Sequence, residues 1–259
     1  MPDEDGFPDG KEAPIIEAYF HSVNENFLPP PDLDRPVWRL MRYERFEQLI
    51  KYQALWFARF DAMEDKEECR IPVKNLGPSA DLLTSAGIPV HLAHCLGIQE
   101  VAGKAFFARV EKEKPHNLIN CWYLGERVSE DMWKQYGAGS GSVAIRSRAK
   151  DVGAALSRNG GRECFANPIT YIDHESDVLR MNHFLGPFFT KRRTFEFEQE
   201  MRYLLHLDWC APKGAYVPVD LKRMIHEVRV KCAQGFDPSA VKELLRSVEV
   251  DVPVLEVQN

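Results

Sequence analysis

The sequence lacks the features that mark several common classes of protein. Its 259 residues contain no apolar run long enough to cross a bilayer, and no apolar stretch follows a basic start at the N-terminus. The six cysteines form no CxxC pair and have no spacing typical of a zinc module or a disulfide scaffold. We therefore expect no membrane association, and a cytoplasmic protein with reduced thiols.

The sequence also lacks an excess of positive charge. Its formal net charge of −6 argues against broad electrostatic binding to a nucleic-acid backbone, which needs many lysines and arginines on one surface. The composition, 44% apolar and 28% charged, is ordinary for a globular domain with a sizeable core.

Strand and helix patterns alternate irregularly along the chain, which favours an α+β fold. Residues 1–36 are predicted to form a partly disordered lead-in with a short helix over 13–27, because the prolines of 27–36 exclude a helix there. Residues 37–259 are predicted to form a single α+β domain, with a mixed, mainly antiparallel central sheet and flanking helices. A helix is also expected over 177–186, up to a Gly-Pro pair.

The segment TFEFEQEMRYLL, residues 194–205, carries the strongest candidate site. If it is extended, alternation places Glu198, Glu200 and Arg202 in one file with Glu196, at a spacing of about 6–7 Å. One interpretation is a solvated sheet face. The other is a site that concentrates negative charge to polarise a sugar hydroxyl, stabilise a cationic transition state or share a metal.

Aromatic, hydroxyl and basic side chains elsewhere are further candidates. Trp38 and Arg39 open a predicted strand, where a planar ring and a fork of donors can hold a base or a phosphate. An aromatic wall with two hydroxyls could be formed by Trp122, Ser129, Trp133 and Tyr136. Lys191 and Arg192 precede the acidic segment and can neutralise phosphates. The alternatives are core aromatics, a helix N-cap at Ser129 and simple charge balance.

An acidic turn at 60–69 offers oxygen ligands for a cation. Asp61, Asp65 and Glu68 could act with the later glutamates, but the turn lacks the regular alternation and central glycine of an EF-hand loop. A solvated acidic turn is the alternative interpretation.

The order of these motifs resembles an uncharacterised bacterial family known as domain of unknown function 2971. The motifs are WR at 38–39, ALWFARFD at 54–61, NCW at 120–122, SEDMWKQY at 129–136 and KRRTFEFEQEMR at 191–202. The similarity covers residues 38–202, with a weaker match through HEVRVKCA. The chain departs from the family at Leu40, where a tyrosine is usual, and in the turn at 65–69.

A second similarity, in motif order, is to ADP-ribosyltransferases. It implies an ADP-ribosyltransferase-like fold and NAD as the substrate, with no metal. Arg39 would contact the pyrophosphate, Ser129 or Tyr136 would line the nicotinamide pocket, and Glu200 would be catalytic with Glu198 assisting. When nicotinamide departs, the sugar becomes oxocarbenium-like, and a nearby carboxylate stabilises it electrostatically.

Three functions remain open from the sequence. The first is an NAD-consuming transferase or glycohydrolase, of the kind found among defence and toxin effectors. The second is a metal-dependent phosphodiesterase or nuclease, and the third is a non-catalytic module that binds a nucleotide or a protein. A nucleotide-type small molecule is the expected ligand, while the acceptor and the oligomeric state stay open.

Overall fold

The structure divides the chain into two compact units. It is a computed structural model that describes residues 18–20, 32–63, 65, 67–76, 104–136, 141–156, 161–179, 185–232 and 236–257. The first unit consists of Met1–Glu64, Pro115–Pro168 and Phe197–Asn259. The second unit consists of Asp65–Lys114 and Ile169–Glu196.

Twelve strands and seven α-helices occur in the described part of the chain. The strands are β1 Ala18–Phe20, β2 Pro36–Arg42, β3 Ala54–Arg59, β4 Asn117–Leu124, β5 Gly141–Arg148, β6 Arg162–Pro168, β7 Thr170–Ile172, β8 Thr190–Arg192, β9 Glu200–His206, β10 Gly214–Pro218, β11 Glu227–Cys232 and β12 Val254–Glu256. The helices are α1 Tyr43–Tyr52, α2 Val73–Leu76, α3 at 104–113, α4 Glu130–Tyr136, α5 Ala149–Leu156, α6 Leu221–Met224 and α7 Ser239–Ser247. Short 3₁₀ helices cover Phe60–Ala62, Lys114–His116, Gly186–Phe189 and Arg193–Glu198.

The first unit is built on a ten-stranded sheet in the order β1-β6-β9-β4-β2-β5-β11-β12, with β3 paired to β4 and β10. The pairs β1–β6 and β11–β12 are parallel. The other pairs of this sheet are antiparallel. The predicted α+β class, with a mixed and mainly antiparallel central sheet and flanking helices, is confirmed.

One face of this sheet, the apolar face, holds the main core. Alternate residues of a strand point to opposite faces. The register assigns the following to the apolar face: Val37, Leu118, Trp122, Leu124, Val143, Ile145, Met201, Tyr203 and Leu205. Helix α1 packs against them through Phe46, Leu49 and Ile50, whose spacing places them on one side of the helix. Helices α5 and α7 bury apolar side chains in the same cluster.

The opposite face, the mixed face, combines apolar and charged side chains. The register assigns the following to it: Trp38, Leu40, Ile119, Cys121, Tyr123, Ala144, Arg146, Asn167, Glu200, Arg202 and Leu204. Helix α4 covers part of this face, because Met132 and Trp133 pack against Trp38 and Leu40. The polar residues of the mixed face are therefore embedded in a largely apolar surrounding.

The second unit is smaller and contains a buried ion pair. Strands β7 and β8 form a two-stranded parallel sheet. Lys191 Nζ lies 3.1 Å from Glu68 Oε1, and both side chains are buried. The amide of Val73 donates to the carbonyl of His174 at 2.9 Å, which ties α2 to the loop after β7.

Two helices expected from the sequence are wrong where the structure describes them. In the segment 13–27, residues Ala18–Phe20 form β1 and pair with β6, so sheet pairing overrides the local pattern. In the segment 177–186, residues 177–179 are irregular and a 3₁₀ turn begins at Gly186. The rest of both segments, and most of the predicted lead-in, lies outside the described residues.

Within the part of the chain that the structure describes, every helix is too short or too polar to cross a membrane.

Candidate functional site

The glutamates of the 194–205 segment do not lie on one strand. The chain is a 3₁₀ helix over Arg193–Glu198, and strand β9 begins only at Glu200. Between them Gln199 has a backbone φ of 37°. This is the left-handed region, which residues other than glycine and asparagine rarely adopt. The predicted single file is therefore wrong: Glu196 is exposed, whereas Glu198 and Glu200 are buried.

Glu200 and Arg202 form a fixed ion pair on the mixed face. Arg202 donates from Nε to Glu200 Oε1 at 2.6 Å and from Nη2 to Oε2 at 3.1 Å. Glu200 is 4% exposed and Arg202 is 0% exposed, because β9 lies between β4 and β6. The Phe60 ring lies against the guanidinium, with 5.4 Å between its centroid and Cζ. The bidentate geometry and the close packing hold the carboxylate in one orientation.

Two further polar side chains flank Arg202 on the neighbouring strands. The register places Cys121 of β4 on one side of it and Asn167 of β6 on the other. Asn167 is 8% exposed, and its Oδ1 accepts no hydrogen bond within the described structure. A buried acceptor without a donor costs about 1–3 kcal/mol, which a donor group on a ligand would offset. No motif in the sequence marks Asn167, because strand order decides which residues lie beside it.

The Cys121 thiol is held in its neutral form. Burial raises its pKa to about 12, and the Glu200 carboxylate beside it acts in the same direction. Since the thiolate is the nucleophilic form of cysteine, Cys121 is a poor nucleophile in this structure.

Arg39 lies at a fork in the sheet. It pairs with Ile145, so the register assigns its side chain to the apolar face, and its guanidinium approaches Glu200 only through the gap in the sheet. Strand β4 pairs with β2 near its C-terminal end and with β3 near its N-terminal end. In the gap between these two ladders, Arg39 Nη1 donates to the carbonyl of Cys121. Burial lowers the pKa of Arg39, while Cys121 and then Glu200 oppose that shift, so the guanidinium is within electrostatic reach of Glu200.

Helix α4 brings a tyrosine to the second glutamate. Tyr136 donates from its hydroxyl to Glu198 Oε1 at 2.7 Å. The helix is fixed by Ser129, whose Oγ accepts from the amide of Met132 at 3.2 Å, so the predicted N-cap is confirmed. Trp133 is 6% exposed and packs on the mixed face as part of the core beneath this helix.

Two of the tryptophans named from the sequence do not line the surface around Glu200. Trp38 has no exposed area: its Nε1 donates to the Gly125 carbonyl at 2.9 Å, and Arg229 lies over its ring. Trp122 points to the apolar face, where its Nε1 donates to Asn120 Oδ1 at 2.7 Å. The expected aromatic wall is corrected accordingly, because Trp122 and Glu200 project from opposite faces of the sheet.

The basic residues expected to hold phosphates pair with the acidic turn inside the second unit. Lys191 is paired with Glu68, and Arg192 donates to both carboxylate oxygens of Asp65, at 3.1 and 2.8 Å. In the first unit, Arg59 donates to Asp61 at 2.6 Å. Charge balance therefore accounts for these contacts. No group of three or more histidine, cysteine or acidic residues in the described ranges is placed to hold a metal ion.

The chain matches no protein-family model and no curated protein.

Proposed function

We propose that this protein is an NAD-consuming enzyme of the ADP-ribosyltransferase or NAD glycohydrolase type. The observation that carries the proposal is the convergence of three distant segments in the first unit. Arg39 lies within electrostatic reach of Glu200, and Tyr136 donates to Glu198. These segments are the ones to which the similarity with ADP-ribosyltransferases assigns phosphate binding, nicotinamide binding and catalysis. An ADP-ribosyltransferase-like fold and a relationship to the bacterial family named above are part of this proposal.

The chemistry needs a carboxylate that faces developing positive charge. The bond between the ribose and nicotinamide breaks with its electron pair going to the nicotinamide nitrogen, so nicotinamide leaves as a neutral ring. The ribose becomes oxocarbenium-like, and Glu200, with Glu198 assisting, stabilises it until water or an acceptor nucleophile attacks. Arg39 contacts the pyrophosphate.

Arg202 and Tyr136 are positioning residues in this scheme. Arg202 fixes the plane of the Glu200 carboxylate by two hydrogen bonds, and Tyr136 holds one oxygen of Glu198. Groups that are oriented before the reaction need no reorganisation in the transition state, and this is where electrostatic catalysis gains most. The remaining acceptor at Asn167 Oδ1 is suited to a donor on the substrate.

The test measures nicotinamide release from NAD by the purified protein. We expect Glu198→Gln and Glu200→Gln each to lower turnover by about a hundredfold or more, the order seen when one electrostatic group is removed. Glu198→Gln keeps an oxygen that accepts from Tyr136, so we expect it to fold. Glu196→Gln is the matched control, because Glu196 is an exposed glutamate of the same 3₁₀ helix.

Thermal unfolding of each variant accompanies the turnover assay, because Glu200→Gln leaves the buried Arg202 without its carboxylate. Equal turnover in the wild type and in a folded Glu198→Gln or Glu200→Gln variant would remove the assignment of that residue. Absence of nicotinamide release from NAD by the wild type would overturn the proposal.

A second candidate function is non-catalytic binding of a nucleotide. The ion pair with Arg202 favours it, because the guanidinium neutralises much of the charge that Glu200 would offer to a cationic transition state. In that case NAD or another nucleotide raises the unfolding temperature of the wild type without nicotinamide release. The metal-dependent nuclease gains no support, since Asp61, Asp65 and Glu68 are in separate ion pairs.

We also infer a cytoplasmic location, from cysteines whose spacing indicates free thiols.

A further inference from the structure

A cluster of two histidines and a cysteine lies at the far ends of β4 and β9 from Glu200. Cys210 Sγ is 3.5 Å from His116 Nε2, and the ring centroids of His116 and His206 are 6.4 Å apart. Cys210 is exposed. Glu200 and His206 are the two ends of β9, so this cluster lies about 20 Å from the proposed NAD site.

The loop that carries Cys210 is anchored on both sides of it. The amide of Leu207 donates to the carbonyl of His116 at 2.8 Å. Beyond the cysteine, Arg59 donates from Nη1 to the carbonyl of Ala211 at 2.9 Å, and its amide donates to the carbonyl of Lys213 at 2.9 Å. The backbone therefore holds the thiol against the imidazole.

The other cysteines that the structure describes have different environments. Cys69 and Cys164 are buried, and Cys121 and Cys232 are half-buried. Burial raises the pKa of Cys121, Cys164 and Cys232, which keeps these thiols in their less reactive form. Cys210 combines exposure with an imidazole at hydrogen-bond distance, the arrangement that activates a thiol nucleophile.

We propose that Cys210 is a reactive thiol, with His116 as its base, that exchanges with low-molecular-weight disulfides such as glutathione disulfide. His116 accepts the proton of the thiol, and the Cys210 thiolate attacks one sulfur of the disulfide. The bond between the two sulfurs of the disulfide breaks, and a new bond forms between Cys210 and the attacked sulfur. The departing thiolate takes the proton from His116, so Cys210 is oxidised and half of the disulfide is reduced.

The surroundings of the cluster leave Cys210 open to a small disulfide. His206 lies beside His116, and Trp209, the residue before Cys210, is 40% exposed. Asp208, which pairs with Arg162, is within electrostatic reach of His206. Exposure of this kind is typical of reactive cysteines, whereas structural cysteines are enclosed.

The experiment measures the rate at which each cysteine of the full-length reduced protein reacts with glutathione disulfide and with iodoacetamide. Intact mass follows the reaction and peptide mass spectrometry identifies the site. We expect Cys210 to react first, and Cys210→Ser to abolish the fast phase with both reagents. Cys232→Ser is the matched control, since Cys232 is half-buried and its removal leaves the fast phase unchanged.

His116→Gln tests the role of the imidazole. We expect it to slow Cys210 about tenfold or more near pH 7, with the difference vanishing at high pH, where hydroxide replaces the imidazole as the base. A merely structural role for His116 would not produce this convergence with pH. A second measurement needs no variant. It compares the reaction rate of Cys210 in the wild type near pH 6.5 with that of free glutathione under the same conditions, and we expect Cys210 to react faster. Cys210 reacting no faster than Cys232, or His116→Gln matching the wild type at every pH, would overturn the proposal.

Discussion

The two faces of the ten-stranded sheet are built from the same strands, yet they contain different kinds of side chain. On β9, Tyr203 points to the apolar face and donates to the carbonyl of Ala149, while the adjacent Arg202 points to the mixed face and pairs with Glu200. The apolar face gains stability from packing and from area removed from water. The mixed face contains a buried ion pair. Such a pair adds little to the stability of the fold, because the cost of removing both charges from water offsets their attraction. The proposed function places its chemistry on the mixed face.

Removing one partner of the ion pair gives the largest expected effect. Arg202→Met leaves Glu200 buried without its guanidinium, and we expect the free energy of unfolding to fall by about 3–5 kcal/mol. The double variant Glu200→Met with Arg202→Met removes both charges and should recover most of this loss. Urea unfolding of both variants checks the prediction. A double variant as unstable as the single one would show that the pair itself stabilises the mixed face.

The pH dependence of stability tests the desolvation of Cys121 on the same face. Its pKa is raised from an ordinary value of 9.0 to about 12 in the folded protein, so folding favours the neutral thiol. This contribution is fully present below about pH 9 and is lost as the pH rises towards about 12, by at most about 1.4 kcal/mol per pH unit. We expect the free energy of unfolding to fall less steeply between about pH 8 and pH 10.5 in Cys121→Ala than in the wild type. Equal slopes would mean that the thiol is already well solvated.

The smallest expected effect belongs to a polar atom of the apolar face. Tyr203→Phe removes a hydroxyl that donates to the carbonyl of Ala149 at 2.7 Å, at the start of α5. We expect a loss of about 1 kcal/mol in the free energy of unfolding, because the ring and its packing stay in place. A loss as large as that of Arg202→Met would contradict the contrast between the two faces. Thermal and urea unfolding of the two variants under one set of conditions make the comparison.

The candidate site was predictable in part from alternation along strands. Glu200 and Arg202 are two residues apart on β9, and the structure places them on one face as the pattern predicts. Glu198 does not follow this alternation, because Gln199 has a left-handed backbone conformation and the strand begins only after it. A left-handed residue that is not glycine cannot be recognised from the sequence.

Side-chain direction on β4 was not predictable from composition alone. Trp122 looked like a wall of the site, but its strand position opposite Met201 sends it to the apolar face. Asn167 had no motif at all, and it joins the site because β6 is the neighbour of β9. Strand order and register decide these contacts, and a local sequence window carries little information about either.

By itself, the sequence determined the α+β class, through the irregular alternation of strand and helix patterns. The periods of α1, α5 and α7 and the apolar runs of β2, β4 and β5 are local properties, set by backbone geometry and the burial of one side. Only the tertiary structure decided that Arg39, Tyr136 and Glu198 belong to one region. They are about 60 to 160 residues apart along the chain. The pairing of β2 and β9 with β4, and the packing of α4 against β2, bring them together. Non-local contacts of this kind depend on the free energy of the whole packed sheet, so no single segment encodes them.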